Sequence, residues 1–268
     1  MAFPRIPPCQ SIGLSALLAA LLLAAPHPAV QADTVSLNPV ADATLIETEP
    51  DNSLGGHGFF NAGTTGIGTQ NRGLIRFDLS SVIPPGSIIE SASVHLTVVF
   101  IPSSQVELSL FGLHRVLQPW GEGNNVPATI TLPGLGAPAD LNDATWNDRF
   151  FGAGQPWSQP GGQEGVDYVG NVSSVEFIET EDTYLFDATP RLISDVQSWV
   201  DNPAANHGWM LITFSEDTRY TARRWGSRED PFDPPLLTVT FTPVPEPSTL
   251  ALAGLGVLAF LLWKRFPA

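Results

Sequence analysis

The chain predicts an all-β fold, a jelly-roll-like β-sandwich with one short helix. Three observations carry the prediction. Short segments alternate apolar and polar residues with a period of two, as half-buried antiparallel strands require. Glycine and proline, 24 and 25 residues respectively, punctuate the segments as turns do. One stretch alone in the mature chain has convincing helical spacing. Many short strands, one helix and Pro/Gly turns favour a sandwich, with a barrel as the alternative.

Residues 1–32 read as a secretory signal peptide. Arg5 supplies a positive n-region, Ile12 to Ala25 an apolar h-region, and Ala29-Val30-Gln31-Ala32 the small residues for cleavage after Ala32. The h-region is short for a bilayer span; an uncleaved anchor is the alternative. The mature domain is then 33–242. Residues 34–46 hold a candidate strand pair around Val35, Leu37, Thr44 and Ile46. Asp51 to Gly68, rich in Gly, Asn and Thr, reads as a loop with one short strand at Phe59-Phe60.

Asn71 to Leu96 is the organising stretch and reads as two strands joined by Pro84-Pro85-Gly86. Ile75, Phe77 and Leu79 share one face of the first. Ala92, Val94, Leu96 and Val98 share one face of the second, with Ser91, Ser93, His95 and Thr97 turned to solvent. Val106, Leu108 and Leu110 then alternate with Glu107 and Ser109, and the phase slips near Gly112, as at a bulge. Residues 121–143 and 151–175 read as long loops, functional or mobile.

Tyr184-Leu185-Phe186 is a short strand. Thr189 and Pro190 suit an N-cap and the first helical position. Leu192, Ile193, Val196, Trp199 and Val200 follow at helical spacing, and Asn202-Pro203 ends a helix of about three turns. His207 to Phe214 is continuously apolar, as a strand buried on both faces would be. Leu237, Val239 and Phe241 mark the last strand.

The net charge of −15 disfavours nucleic acid as a partner, because binding begins with neutralisation of phosphates. The single cysteine, Cys9, lies in the leader. The mature domain therefore has no disulfide, thiolate metal site or thiol nucleophile, and its size permits a core that needs none.

Residues 243–268 form a distinct tail. Val244-Pro245-Glu246-Pro247-Ser248-Thr249 precedes an apolar run to Trp263 and then Lys264-Arg265. The span 248–263 predicts a transmembrane helix with its basic end in the cytoplasm and the domain outside. The tail resembles the PEP-CTERM sorting signal of Gram-negative bacteria. That resemblance implies recognition by an exosortase near Pro245, Glu246 and Pro247, a transient inner-membrane anchor, removal of the tail, and release to the cell surface or exopolysaccharide matrix. A plain anchor would show the same span and charges.

The domain resembles the DNRLRE domains, which are related to disaggregatase-type repeats and to an alginate-binding carbohydrate module. The matching pieces are Asn71 to Ser80, Ile89 to Leu96, Trp120-Gly121-Glu122, Thr145-Trp146-Asn147, Val196 to Trp199, Asn206-His207-Gly208, Ser227-Arg228-Glu229 and Pro235-Leu236-Leu237. The resemblance implies a jelly-roll sandwich. The insertion between the Trp120 and Trp146 motifs is longer than the family pattern.

No nucleophile elbow, zinc helix or P-loop is present. His57, His95, His114 and His207 lack metal-ligand spacing. Carboxylates are plentiful, but a glycosidase pair needs a distance that sequence does not give. Tyr220 beside arginines is the base a lyase would use. The chain is therefore expected to be non-catalytic. Arg219, Arg223, Arg224, Trp225 and Arg228 form a basic patch suited to an acidic polysaccharide, through guanidinium forks and an indole face. The alternative is ion pairing with Asp217, Glu229, Asp230 and Asp233. Trp157 and Tyr168, on a long loop, are expected as exposed binding aromatics; Trp199 and Trp209 are expected in the core. Carbohydrate modules of jelly-roll type often carry structural Ca²⁺, to which Asp42 or Asp51 would contribute. The alternatives to a polysaccharide-binding protein are a matrix protein with no glycan ligand and an exopolysaccharide lyase or glycosidase.

Overall fold

The structure, a computed structural model, describes residues 31–101, 106–126 and 133–244, with single positions at 256, 262 and 265. Most of the predicted leader, the Pro245-Glu246-Pro247 motif and nearly all of the span 248–263 lie outside the described residues. Among the described residues, no helix is long and apolar enough to cross a membrane.

The main strands are β1 (Asp33–Leu37), β2 (Pro39–Ile46), β3 (Phe59–Thr64), β4 (Gln70–Phe77), β5 (Ile88–Phe100), β6 (Ser109–Arg115), β7 (Ser174–Ile178), β8 (Thr183–Phe186), β9 (Trp209–Thr213), β10 (Arg223–Gly226) and β11 (Leu236–Thr242). They form one curled antiparallel sheet in the order β1-β11-β5-β10-β3-β4-β9-β6-β7, with β8 also on β5 and β2 on β4. The long strand β5 is the spine of one layer. It pairs with β11 along one edge, with β8 on the other, and at Val98 and Phe100 with β10. Strand β10 also pairs with β3, and through this seam the sheet turns into the second layer, β2-β4-β9-β6-β7. The sandwich expected from the alternation is therefore present.

The faces follow the sequence pattern. Ala92, Val94, Leu96 and Val98 of β5, Ile75 and Phe77 of β4, and Leu237, Val239 and Phe241 of β11 all enter the main core. Helix α1 (Pro190–Asp201) starts where predicted: Thr189 Oγ1 accepts the Leu192 N–H at 3.0 Å, and Pro190 follows the cap. It turns Leu192, Val196, Trp199 and Val200 into the same core.

Three expectations are corrected. The segments either side of Pro84-Pro85-Gly86 do not pair with each other; β4 and β5 lie in opposite layers, so the connection is a crossover. Likewise β1 and β2, adjacent in sequence, pair with β11 and β4. In β6 Ser109, Phe111 and Leu113 are buried, while Leu110, and Leu108 just before the strand, are exposed. The phase is opposite to the one predicted, because Leu110 lies on the outer face across from Phe177.

Residues 116–126 and 133–170 do not hang free. They cover the outer face of the β2-β4-β9 layer and build a second core from Val116, Trp120, Ala144, Trp146, Trp157 and Tyr168 against Ala41, Ala43, Leu45, Leu74, Met210 and Ile212. This explains the unbroken apolar run of β9. Trp209 and Leu211 face the main core, Met210 and Ile212 the second.

One buried carboxylate joins helix to sheet. Asp195 Oδ2 accepts bonds from Ser173 Oγ at 2.5 Å and Trp209 Nε1 at 3.1 Å, and Arg115 Nε lies 3.4 Å from Oδ1. Burial raises its pKa above the ordinary 3.8, outweighing the bonds from Ser173 and Trp209 and the charges of Arg115 and Arg191. A carboxyl that holds its proton more tightly when folded makes stability fall as pH rises through the window above 3.8. Asparagine does not titrate. Asp195→Asn should therefore be destabilised most at the acid end of that window, and its deficit relative to the wild type should shrink as the pH rises. Unfolding curves of both proteins across that range check the sign; a deficit that grows with pH would contradict it.

Candidate functional site

The predicted basic patch is dispersed by the fold. Alternation along β10 turns Arg223 and Trp225 inward, and both are 0 % exposed. Trp225 meets Phe111 edge to face at 5.4 Å. The Arg223 guanidinium is spent on backbone carbonyls, donating to Glu107 at 2.9 Å, Ala222 at 3.1 Å and Tyr220 at 3.3 Å. Neither can touch a polymer. Arg224 lies on the opposite side of the strand and is half-buried, with its guanidinium 4.6 Å from the ring of the buried Phe59 and 4.8 Å from that of the exposed Phe100. Arg219 is exposed and lies against Gly68 in the neighbouring turn. Tyr220, at φ 66°, packs its ring over Gly66.

The expected exposed aromatics are also internal. Trp157 and Tyr168 are buried in the second core, and Trp157 Nε1 donates to the Thr145 carbonyl at 3.0 Å. A loop rich in Gly and Pro still has to cover the apolar outer side of β9, and these rings do it. Arg72 from β4 locks the cover in place. It makes a two-pronged pair with Glu216 at 2.8 Å on both arms and donates to the carbonyls of Gly161 at 2.9 Å and Gly162 at 3.1 Å. Its guanidinium also lies 5.7 Å from the Trp146 ring and 5.6 Å from the Tyr168 ring.

Where β2 has no second strand partner among the described residues, acidic groups gather. The Asp42 N–H donates to Glu122 Oε1 at 2.9 Å, and Asp42 Oδ2 accepts the backbone N–H of Arg228 at 2.6 Å. Arg228 bridges the cluster, with Nε 3.1 Å from Glu122 and Nη2 2.7 Å from Glu229. One carboxylate oxygen from each of Asp42, Glu122 and Glu229 lies within 4.8 Å of the others. Burial pushes Asp42 well above the usual carboxylate range, and the charges of Glu229 and Glu122 push the same way. Burial also raises Glu122.

Of the two expected metal ligands, Asp42 therefore sits in an all-oxygen donor set that suits a hard cation. Asp51 does not join it: Asp51 is exposed and accepts from Asn147 Nδ2 at 2.9 Å. Of the expected acidic partners for the patch, Glu229 takes Arg228; its second partner is Glu122, from the segment after Trp120. The histidines form no such cluster among the described residues. His114 Nδ1 faces the Val169 carbonyl at 3.0 Å, and His57 lies tilted against the Phe59 ring at 4.2 Å.

Comparison with known families finds the PEP-CTERM protein-sorting motif at residues 243–265. The tail is thus a sorting signal, which supports an exported, exosortase-sorted protein of a Gram-negative bacterium. A search of curated proteins finds no match.

Proposed function

We propose that the chain is a non-catalytic β-sandwich, carried by its tail to the cell surface or extracellular matrix, where it contacts acidic polysaccharide. The observation that carries the reading is the sorting motif at 243–265, joined to a domain built of packed strands. The exosortase is its processing partner, and the membrane holds it only until the tail is removed. The likeness of residues 71–80 and the later motifs to DNRLRE domains points the same way.

The state of the carboxylates supports a non-catalytic role. A glycosidase needs one carboxyl as an acid and another as a base or nucleophile, each free to reach the bond. Glu122 and Glu229 are close enough, but a single guanidinium holds both. Polysaccharide contact rests on Arg219 and on Arg224 with the exposed Phe100. A guanidinium beside a phenyl face suits a uronate, which presents a carboxylate and a sugar face together.

Arg219→Ala with Arg224→Ala should lower retention on immobilised alginate at least tenfold while leaving the unfolding curve nearly unchanged. Equal retention would remove the polysaccharide ligand. It would then favour the second reading, a matrix protein without a glycan ligand, to which the net charge of −15 also inclines by repelling polyanions. Mass spectrometry of the mature C-terminus tests sorting separately: cleavage near Pro245-Glu246-Pro247 is expected, and an intact tail would show a plain anchor.

A further inference from the structure

We infer that Asp42, Glu122 and Glu229 bind one divalent cation, and that their chemistry selects Ca²⁺. The inference does not rest on glycan binding. The three carboxylates come from distant parts of the chain: the middle of β2, the segment after Trp120, and the loop after β10. Their oxygens converge within 4.8 Å.

Asp42 is the decisive member. Its side chain is 0 % exposed, and Oδ1 has no hydrogen-bond partner among the described residues. Buried charges are ordinarily paired or coordinate a metal. Arg228 does not pair with this one. Its guanidinium is taken by Glu122 and Glu229, and only its backbone N–H reaches Asp42, at Oδ2. Three carboxylates thus share the Arg228 guanidinium, with Arg76 a second positive charge acting on Glu122 alone, and Asp42 keeps a lone pair turned to nothing.

The donors are all oxygen, which points to a hard cation and away from zinc or copper. Two of the three stand on irregular segments, which can adjust to the long, variable bonds of Ca²⁺ more easily than to the tight octahedron of Mg²⁺. Water and carboxylates binding through both oxygens would complete the shell. The Arg228 side chain is 36 % exposed, so it can withdraw to solvent as the ion enters. Guanidinium and ion are alternative countercharges for Glu122 and Glu229. Bound Ca²⁺ would clasp β2 to the covering segment and to the loop after β10.

After treatment with EDTA and removal of the chelator, the purified protein should bind one Ca²⁺ by calorimetry. Half-saturation is expected at about 0.1–1 mM, the range of extracellular calcium modules. The thermal midpoint should rise by roughly 5 °C at about 10 mM Ca²⁺, and less with Mg²⁺. Asp42→Asn, which keeps an acceptor for the Arg228 N–H, should abolish the binding heat and the shift. Glu122→Gln should weaken binding at least tenfold. Arg228→Gln should retain binding and tighten it, an effect that a merely structural ion pair would not produce. Absence of both heat and shift in the wild type would overturn the inference. So would wild-type binding by folded Asp42→Asn or Glu122→Gln; should Asp42→Asn fail to fold, Glu122→Gln decides.

Discussion

Arg72→Ala should lower the unfolding free energy by about 3–5 kcal/mol, the cost of removing one partner from a buried, hydrogen-bonded ion pair. Arg72 side-chain exposure is 10 % and that of Glu216 is 23 %, so water screens the pair little. Alanine would leave Glu216 without its countercharge and the carbonyls of Gly161 and Gly162 without their donor. It would also remove the guanidinium from over the rings of Trp146 and Tyr168. Because Arg72 reaches from β4 to the covering segment, the loss should be visible locally as well. Proteolysis within residues 151–175 should accelerate before the sheet melts. Arg72→Lys keeps a charge but cannot hold Glu216 by two parallel bonds while reaching two carbonyls; it should recover less than half of the loss. Urea denaturation of the three proteins measures both steps. A cost for Arg72→Ala below about 1 kcal/mol would show that the pair is of the weak surface kind.

Arg72 also shows where sequence reading stops. Strands are legible when exactly one face is buried: Ala92, Val94, Leu96 and Val98 alternate with half-exposed polar residues and all four reach the main core. Helix α1 is legible for a similar reason, since its cap, its proline and its apolar stripe are local. Strand partners are not local. The alternation of β4 and β5 says that each has an inner face but not that they sit in opposite layers. Phase fails in β6 because Leu108 and Leu110 are apolar on the outside, and periodicity cannot tell an inner face from an outer one when both carry leucine.

The covering segment was half legible. A strand apolar on both faces, as β9 is, requires something to bury its second face, and the only long stretches left to do so were the Gly/Pro-rich loops. Followed through, that requirement places Trp157 and Tyr168 inside rather than in solvent. The inward turn of Arg223 and Trp225 follows from the alternation of β10, but four arginines close in sequence look like a patch until a strand is drawn through them. The carboxylate cluster had no local signal. Glu122 lies 80 residues from Asp42, and Arg228, beside Glu229, lies 186 residues from it. Only the edge of β2 that has no second strand partner among the described residues brings them together.

Trp209→Ala should be as costly as the loss of Arg72, about 3–5 kcal/mol, because an indole removed from a close-packed core leaves a cavity that its neighbours fill only in part. Trp209 is 0 % exposed, lies 4.5 Å from the Trp199 ring and 6.3 Å from the Phe77 ring, and donates its indole N–H to Asp195. It therefore joins strand β9, helix α1 and strand β4 at one point. Trp209→Phe separates the two contributions. Phenylalanine keeps much of the apolar volume but cannot donate to Asp195, so its cost should be about 1–3 kcal/mol, that of a buried acceptor deprived of one donor. Trp209→Ala and Trp199→Ala share one cavity, and the double variant should lose less than the sum of the singles. Strict additivity in chemical denaturation would mean that the two indoles pack independently, and that the helix is held to the sheet by its other contacts.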